Sequence, residues 1–258
     1  MELMPGNAKL DLAGQRILVT GAGRGLGRGM ALTFADWGAS LGLADIGAED
    51  IAETRKLLED KSAKLWSGRM DVTGEADVEA GVEGCWDALG GIDLLVNNAG
   101  ILSVSPVVDL ELSEWRRVME VNATGVFLVT RAVVRRMIAA KQQGSVVSIS
   151  SIGGKRGDAR IAHYNASKFA VIGFTQALAR EVAQHDILVN AVCPGVVETQ
   201  MIADMARDTD TPVASWIGNQ AIRRSQSPAD IAFAVAFLHL NRAMTGQAVN
   251  VDGGTVFH

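Results

Sequence analysis

Short runs of valine, isoleucine and leucine alternate along the chain with longer segments whose apolar residues recur every three to four positions. The short runs predict β-strands, and the longer segments predict α-helices. The predicted strands lie at residues 16–21, 40–46, 64–72, 92–100, 144–151, 187–195 and 247–254. The predicted helices lie at residues 27–39, 49–61, 75–89, 113–140, 165–184 and 231–240.

The predicted strands are rich in apolar residues with little polar alternation, which is typical of a sheet covered on both faces. Regular β–α alternation predicts a parallel, doubly wound sheet with helices on both faces and right-handed crossovers. No linker, repeat or low-complexity tract interrupts this pattern. We therefore predict a single α/β domain over residues 1–258. Residues 196–226 are the least regular stretch, and a connection of that length in a compact domain is typical of a substrate lid.

The apolar segment at residues 231–240 is too short to span a bilayer, so it predicts a buried helix. Ser227 before it suits a helix N-cap, and Pro228 suits the first helical position. Residues 1–15 contain no apolar core of the kind found in signal peptides. No membrane association is predicted.

The composition is ordinary for a globular protein, with 48% hydrophobic and 21% charged residues in a chain of 258. A net charge of −5 without a run of Lys or Arg argues against a nucleic-acid or anionic-membrane partner. Cys85 and Cys193 form no CxxC pattern, which favours reduced thiols in a cytoplasmic protein. The four histidines show no metal-ligand spacing, so no metal site is predicted.

A glycine-rich turn joins the first predicted strand to the first predicted helix. Glycines allow a tight turn and a close approach to a pyrophosphate, and the helix N-terminus supplies free N–H groups. A strand before the turn, a helix after it and an acid further along together predict a dinucleotide site. The residues of this turn are Gly21, Gly23, Arg24, Gly25, Leu26 and Gly27.

Asp45 ends the second predicted strand, where its carboxylate can accept hydrogen bonds from the adenosine ribose hydroxyls. A 2′-phosphate at that place would meet a negative charge, so Asp45 favours NAD over NADP. Arg24 in the glycine turn could instead pair with a 2′-phosphate. We give the carboxylate more weight than a flexible, partly solvated arginine, and predict NAD as the cofactor.

Two further strand ends are predicted to border the cofactor. Asp71 and Val72 end the third strand beside the predicted adenine position, although Asp71 could equally be an ordinary strand-terminal residue. Asn98, Ala99 and Gly100 follow the fourth strand in a loop. Asparagines beside small residues often form turns, and this turn would lie against the dinucleotide.

Tyr164 is the only tyrosine of the chain and lies four residues before Lys168. A lone tyrosine is more often a half-buried core residue. This spacing, however, places the two side chains on one helical face, one turn apart. A phenol with a pKa of about 10 is a poor base at neutral pH, and a neighbouring ammonium favours the phenolate. The pair therefore predicts an acid/base centre beside a bound dinucleotide.

The ordered set of TGAGRGLG, NNAG, Asn122, Ser151, Tyr164-x-x-x-Lys168 and Pro194-Gly195 resembles the short-chain dehydrogenase/reductase family over essentially the whole chain. The resemblance implies a Rossmann-type sheet of about seven parallel strands and a nicotinamide cofactor. It also implies a homotetramer or homodimer whose interface uses the long helices after strands four and five.

The resemblance also implies a role for each matching residue. Tyr164 would be the acid/base and Lys168 its activator. Ser151 would orient the substrate oxygen, and Asn122 would hold a water in the proton path. Thr199 would contact the nicotinamide carboxamide, with Val197 nearby. Further cofactor-binding residues are Pro194, Gly195, Tyr164 and Lys168, and Lys168 could reach the nicotinamide ribose hydroxyls.

The substrate is expected to be a secondary alcohol or ketone. Residues 154–179 look most like the polyol, sugar-alcohol and acetoin/butanediol dehydrogenases of the family, which favours a polyol or vicinal diol. One alternative is a 3-oxoacyl thioester reductase of fatty-acid synthesis, a role that usually goes with NADPH, so Asp45 counts against it. Another is a non-catalytic NAD-sensing protein, but such proteins typically lose the tyrosine or the lysine, and this chain keeps both.

Two questions about the cleft stay open at the level of sequence. The apolar residues of the predicted lid could cover a substrate or could pack on a core of their own. His163 could face the substrate or could pack at the rim of the cleft. The lid residues concerned are Met201, Met205, Trp216 and Ile217.

Overall fold

The computed structural model describes residues 10–258. Residues 1–9, which belong to the segment predicted to lack a signal peptide, lie outside the described residues. The strands are β1 (Arg16–Thr20), β2 (Ser40–Asp45), β3 (Leu65–Arg69), β4 (Leu94–Asn97), β5 (Gly144–Ile149), β6 (Ile187–Pro194) and β7 (Ala248–Val251). The α-helices are α1 (Gly25–Asp36), α2 (Ala48–Leu58), α3 (Glu75–Leu89), α4 (Leu112–Met119), α5 (Gly125–Ala139), α6 (Ala162–Val182), α7 (Gln200–Thr209), α8 (Val213–Gly218) and α9 (Pro228–Leu240).

The strands form one seven-stranded sheet in the order β3-β2-β1-β4-β5-β6-β7, and every neighbouring pair is parallel. The predicted single-domain, doubly wound fold is therefore confirmed. The chain order reverses between β1 and β4, which pair at Val19 and Val96. In such sheets the crevice at this reversal, beyond the carboxyl ends of the strands, is the usual ligand site.

Successive apolar residues of β1 enter two separate cores, because neighbouring side chains of a strand point to opposite faces. Ile17 and Val19 belong to the cluster that contains Phe34 of α1 and residues of α9. Leu18 belongs to the cluster formed with residues of α3, α5 and α6. This double burial explains why the strands show so little polar alternation.

The predicted helix at residues 113–140 is interrupted in the structure. It begins as α4, passes through a π-helical turn at Glu120–Thr124 and continues as α5. A π turn holds one more residue than an α turn, and such insertions occur frequently at functional sites. Here the turn contains the predicted site residue Asn122, which is fully buried.

The structure corrects two expectations about the C-terminal third. The irregular stretch predicted at residues 196–226 contains α7 and α8. The helix predicted to be buried, α9, is buried on one face only, because Phe233, Phe237 and Leu240 are 39–45% exposed. Its predicted start is confirmed: the Ser227 hydroxyl accepts from the Asp230 N–H, and Asp230 in turn accepts from the Ser227 N–H at 2.7 Å. Within residues 10–258 no helix has the length and apolarity needed to cross a membrane.

A buried histidine joins the amino-terminal edge of the sheet to α9. His239 is 6% exposed, with Nδ1 at 2.6 Å from the Ser145 hydroxyl and Nε2 at 2.9 Å from Oε1 of Gln15. A neutral imidazole satisfies both contacts, because Nε2–H donates to the amide oxygen while Nδ1 accepts from the hydroxyl. Burial lowers the pKa of His239 from 6.5 to about 4.

We expect the free energy of unfolding to fall as the pH drops from 6.5 towards 4. The folded form of His239 resists protonation, whereas the unfolded form takes up a proton below pH 6.5. The stabilisation is therefore present above pH 6.5, and its loss amounts to about 3 kcal/mol once the pH is below both pKa values. Urea titrations at pH 8 and pH 4.5 measure it. His239→Gln should lose much of this dependence, and the exposed His185→Gln should keep it; equal acid dependence in all three proteins contradicts the assignment.

Candidate active site

The predicted site residues converge at the carboxyl ends of β1, β4, β5 and β6. The glycine turn follows β1, and the Asn98–Gly100 loop follows β4. The two loops touch, since the Asn98 amide donates to the carbonyls of Thr20 and Gly21 at 3.0 and 3.1 Å. The Thr20 hydroxyl also accepts from the backbone N–H of Asn98 and Ala99. Thr20 was not predicted, although its position at the last residue of β1 makes it a natural link between the loops.

The glycine turn has the shape of a cradle for a pyrophosphate. Gly21 has a φ of +63°, and a Cβ on it would lie 2.8 Å from the Ala99 Cα. A Cβ on Gly27 would lie 2.0 Å from the Gly21 carbonyl oxygen. Helix α1 starts at Gly25 with no side-chain cap and no acid in its first turn. Its first N–H groups are therefore free for an anion, and the turn fits the phosphates of a dinucleotide.

Two residues that were not predicted hold the turn in place. The Gly23 carbonyl accepts from the Arg28 Nε at 2.9 Å and from the Thr54 hydroxyl at 3.0 Å. Arg28 also pairs with Glu53 at 2.9 Å. No local sequence signal identifies Thr54, because it lies 31 residues from the glycine that it contacts.

Asp45 occupies the position expected of a ribose acceptor. One carboxylate oxygen accepts from the Gly23 N–H at 2.8 Å, and the other accepts from the Gly47 N–H at 2.9 Å. These contacts fix the carboxylate beside the glycine turn. Each oxygen retains a lone pair, so the group can still accept from hydroxyls of a ribose. Arg24 is exposed at the N-cap of α1.

Asp71 and Val72 contact neighbouring residues of the protein. The Asp71 carboxylate accepts from the Thr73 N–H at 2.9 Å and the Thr73 hydroxyl at 2.8 Å, which lowers its pKa. The ordinary strand-terminal role weighed for Asp71 thus accounts for its contacts. Val72 is 8% exposed and packs against Gly125, where an added Cβ would approach Val72 to 2.8 Å.

Tyr164 and Lys168 lie one turn apart on α6, as their spacing predicts. The Lys168 Nζ is 5.6 Å from the centre of the Tyr164 ring. Lys168 is 5% exposed, and its ammonium donates to the Ile149 carbonyl at 2.9 Å. The lysine is thus anchored to the end of β5 and lies over the phenol ring.

In the protein without a bound cofactor, burial has the largest influence on the pKa of the phenol. Burial raises the pKa of Tyr164 above that of a free phenol, and hydrogen bonding with Ser151 offsets part of the rise. Burial also lowers the pKa of Lys168 to about 8. The ammonium donates to a backbone carbonyl and makes no hydrogen bond to the phenolic oxygen.

Ser151 follows β5 at the position that sequence predicted. Its Oγ accepts from the Gly153 N–H at 3.0 Å and so caps the short helical turn Ile152–Gly154. The capping role and the catalytic role are compatible, because the accepted bond leaves the hydroxyl hydrogen free to donate. Ser151 and Tyr164 lie side by side, since a Cβ on Gly153 would lie 3.4 Å from Ser151 Oγ and 3.5 Å from a ring carbon of Tyr164.

Both ends of the Asn122 amide make hydrogen bonds to protein groups. Its Oδ1 accepts from the Ile101 N–H at 2.9 Å, and its Nδ2 donates to the Ile101 carbonyl at 2.9 Å and the Ser167 hydroxyl at 3.0 Å. A Cβ on Gly100 would lie 3.3 Å from Asn122 Oδ1 and 3.6 Å from Lys168 Nζ. Asn122 therefore ties the loop after β4 to α6, directly beside the lysine.

The segment after β6 crosses the top of the cleft. Gly195 donates its N–H to Val251 at 3.0 Å, next to Pro194 at the end of the strand. Val197 bridges to Gln226. Thr199 reaches the glycine turn, since a Cβ on Gly25 would lie 3.8 Å from its methyl group. The four predicted nicotinamide residues thus line a path from β7 to the N-terminus of α1.

The structure answers both open questions about the cleft. His163 is fully buried, with Nε2 at 2.7 Å from the Ser103 hydroxyl, so it packs inside the rim. Neither α7 nor α8 has a buried residue. The apolar lid side chains are therefore only partly covered and form no closed core of their own. In the described part of the chain no cluster of three or more His, Cys, Asp or Glu side chains is arranged for a metal ion.

Comparison with known proteins assigns the fold and site to a family. Residues 15–210 match the family model described as short chain dehydrogenase. The chain belongs to the short-chain dehydrogenase family. A 3-oxoacyl-[acyl-carrier-protein] reductase of Vibrio cholerae is 36% identical to this short-chain dehydrogenase over 248 residues, which are 95% of this chain and 98% of the relative.

Solved structures of the family agree with this assignment. A short-chain type dehydrogenase/reductase from Mycobacterium marinum superimposes with a TM-score of 0.90 at 32% identity, over 96% of this chain and 98% of the other. Carveol dehydrogenase from Mycobacterium avium, in complex with NAD, superimposes with a TM-score of 0.89 at 29% identity, over 95% and 98% of the two chains.

The protein is thus an oxidoreductase of the short-chain dehydrogenase family that acts on a CH–OH group or ketone. The curated relatives are 3-oxoacyl-[acyl-carrier-protein] reductases at about 35% identity. They match the 3-oxoacyl thioester alternative better than the polyol prediction.

Proposed function

We propose that the protein interconverts 3-oxoacyl and 3-hydroxyacyl thioesters with NAD(H) as the cofactor. The single observation that carries the substrate class is the partly covered apolar surface of α7 and α8, which contain no buried residue. An acyl chain offers apolar surface that can cover these side chains, whereas a polyol does not. The similarity to the Vibrio cholerae reductase supports the same class.

Residues 155–158 belong to the segment that resembles polyol dehydrogenases, and they make several contacts with other residues of the protein. Lys155 donates its Nζ to the Ala248 carbonyl at 2.7 Å. Arg156 and Asp158 pair with each other at 3.4 Å, and the Asp158 carbonyl accepts from Asn165 at 3.0 Å. Of these groups, the Lys155 ammonium is engaged by the protein itself, and this leaves fewer groups to bind several hydroxyls.

The cofactor supplies or accepts the hydride, so the protein must move one proton and hold the geometry. In the reductive direction Tyr164 donates its phenolic proton to the ketone oxygen as that oxygen becomes a hydroxyl. Ser151 donates a hydrogen bond to the same oxygen. Lys168, over the Tyr164 ring, favours the phenolate that remains after the proton has left.

The remaining predicted residues would hold the cofactor. The glycine turn, from Gly21 to Gly27, holds the phosphates, and Asp45 accepts from the adenosine ribose. Asn98, Ala99 and Gly100 border the cofactor, with Asp71 and Val72 behind them. Asn122 keeps the loop after β4 against Lys168, and its Oδ1, which accepts one hydrogen bond from Ile101, retains a lone pair for the water of the proton path.

We also propose the lid, the assembly and the location that the sequence predicted. Helices α7 and α8 form the lid over the substrate. The chain assembles as a homotetramer or homodimer through α5 and α6, where Phe127 and Phe169 are 41% and 48% exposed. A cytoplasmic location is supported by Cys85 and Cys193, which are buried and unpaired among the described residues.

We expect 3-oxoacyl thioesters to be reduced faster with NADH than with NADPH, and longer acyl chains to be preferred. Each added methylene that reaches the lid should raise kcat/KM by roughly two- to four-fold. The Asp45 carboxylate should disfavour the 2′-phosphate of NADPH by at least about ten-fold in kcat/KM. Initial rates with coenzyme A thioesters of increasing length, together with polyols, diols and cyclic ketones, measure both effects.

The variant Asp45→Asn separates the two parts of this prediction. It should relax the preference for NADH and leave the chain-length preference unchanged, whereas Glu49→Gln, an exposed acid of the same region, should change neither. Turnover of polyols without turnover of any 3-oxoacyl thioester would refute the substrate class. A preference of the unaltered enzyme for NADPH would refute the cofactor assignment.

A further inference from the structure

We infer that His163, Ser103 and Glu114 form a positioning relay that holds the catalytic turn of α6 against the loop after β4. The inference rests on the proposed role of Tyr164 as the proton donor. It adds three residues that take no part in the chemistry assigned above. Their contacts join α6, the loop after β4 and α4, which are separate in sequence.

The first turn of α6 needs support from outside the helix. Tyr164 is only the third residue of this helix, and the N-cap residue Ile161 makes no side-chain hydrogen bond to it. An uncapped first turn leaves N–H groups without partners and is the part of a helix that frays most easily. Fraying here would move the phenol, so accurate placement of Tyr164 depends on tertiary contacts.

His163 provides such a contact. It is fully buried, and its Nε2 lies 2.7 Å from the Ser103 hydroxyl in the loop after β4. Ser103 in turn donates to the Glu114 carboxylate on α4. Glu114 is held by Arg117 through two bonds, at 2.7 and 2.8 Å. The relay therefore runs from the residue before the phenol to a fixed ion pair.

The direction of each hydrogen bond follows from the chemistry of the groups. Hydrogen bonds from Arg117 and Ser103 lower the pKa of Glu114 to about 2, so it is a carboxylate that can only accept. The single hydroxyl hydrogen of Ser103 must then point to Glu114. The Ser103 oxygen can therefore only accept a hydrogen bond from His163. This requires the imidazole to carry its hydrogen on Nε2.

The remaining imidazole nitrogen supports this assignment. Nδ1 of His163 is buried and has no hydrogen-bond partner. The histidine therefore gains its one polar contact from Ser103 alone, and burial lowers its pKa, which keeps it neutral. The approach to α6 is tied to the same loop by the Ser105 N–H, which donates to the Arg160 carbonyl at 2.7 Å. Side chain and backbone thus fix the two segments together.

The test uses replacements that break or preserve the donor at the Nε2 position. His163→Leu and Ser103→Ala should each lower kcat by about 10- to 100-fold with little change in KM for NADH, because the phenol is misplaced while the glycine turn is intact. His163→Gln places an amide N–H near the position of Nε2 and should restore most of the rate. The double variant should be no slower than the slower single variant, since both remove one connection.

A second readout does not depend on turnover. Tyr164 is the only tyrosine, so protein labelled with ¹³C at the tyrosine ring carbon bearing the hydroxyl gives one NMR signal from one phenol. Burial raises the pKa of this phenol. Loss of the relay should loosen the turn, admit water and move the titration midpoint down towards the value of a free phenol. Glu111→Gln, an exposed neighbour of the relay residues at the start of α4, should leave the midpoint and kcat unchanged.

Each outcome decides the inference separately from the proposed function. Unchanged kcat and an unchanged phenol titration in Ser103→Ala overturn the relay, even where the enzyme reduces thioesters as proposed. A multiplicative loss of rate in the double variant also overturns it. A shifted titration in a protein that reduces none of the substrates supports the relay and refutes the proposed substrates. If His163→Leu does not fold, Ser103→Ala decides alone.

Discussion

Tyr164→Phe should lower kcat by roughly 10²- to 10⁴-fold, the range attributed to a positioned acid/base group. The substitution removes only the phenolic oxygen and keeps the ring over which Lys168 lies at 5.6 Å. The ketone oxygen then has no proton donor other than water or the Ser151 hydroxyl. The glycine turn and Asp45 are untouched, so the dissociation constant of NADH should stay within about two-fold of the original. Stopped-flow rates and NADH fluorescence titrations measure the two quantities.

The variant Lys168→Met separates the role of the ammonium from that of the Tyr164 phenol. Lys168 is proposed to favour the phenolate, so its loss should also lower kcat while the phenol remains present. The phenol titration of Lys168→Met should change, whereas Tyr164→Phe has no phenol to titrate. A Tyr164→Phe enzyme that turns over at a rate close to the original removes the basis for the proposed chemistry.

Gly27→Ala should weaken NADH binding by at least about 30-fold, or roughly 2 kcal/mol. The added Cβ would lie 2.0 Å from the Gly21 carbonyl oxygen and 2.6 Å from the Asn98 amide nitrogen. The first of these neighbours is backbone, so the glycine turn itself must move. The movement displaces the free N–H groups at the start of α1 and the loop after β4, which Asn98 ties to Gly21. Strain of this kind also costs about 1–3 kcal/mol of stability.

Gly173→Ala is the matched control for this prediction. Gly173 lies within α6, and a Cβ added there would meet nothing within 4 Å. Gly173 makes no contact with the glycine turn, so the variant should bind NADH normally; it lies one turn after Phe169 in the proposed interface helix, so its assembly is checked as well. Isothermal titration calorimetry distinguishes the two glycines, and size-exclusion chromatography shows whether Gly173→Ala keeps the assembly of the unaltered enzyme. Normal NADH affinity in Gly27→Ala would show that the turn does not hold the phosphates.

Sequence spacing predicts the position of Lys168, but its hydrogen-bond partner and the pKa of Tyr164 depend on the tertiary structure. Four-residue spacing places Lys168 beside Tyr164, and the structure has them in that arrangement. Spacing does not predict the hydrogen-bond acceptor of the Lys168 ammonium. In the structure the acceptor is the Ile149 carbonyl at the end of β5. In the protein alone, loss of water around the phenol raises the pKa of Tyr164.

The interpretation of the substrate also depends on contacts that the sequence alone does not reveal. The resemblance of residues 154–179 to polyol and acetoin dehydrogenases favours a polyol or vicinal diol. In the folded chain the Lys155 ammonium donates to the Ala248 carbonyl, and the Asp158 carboxylate pairs with Arg156. The partly covered apolar side chains of α7 and α8 are the surface on which the proposed thioester substrate depends. Whether a charged loop residue meets a ligand depends on partners as many as 93 positions away, which sequence alone does not reveal.

The sequence by itself determined the parallel sheet, the glycine turn after β1, Asp45 at the end of β2 and the Tyr164–Lys168 pair. These features follow from short-range periodicity and spacing, which act over one turn or one strand and need no partner. Tertiary structure alone decided the π turn at Asn122, helices α7 and α8 and the contact of His163 with Ser103, 60 residues away. Such features arise where a polar group finds its partner in a distant segment, and burial makes that pairing obligatory.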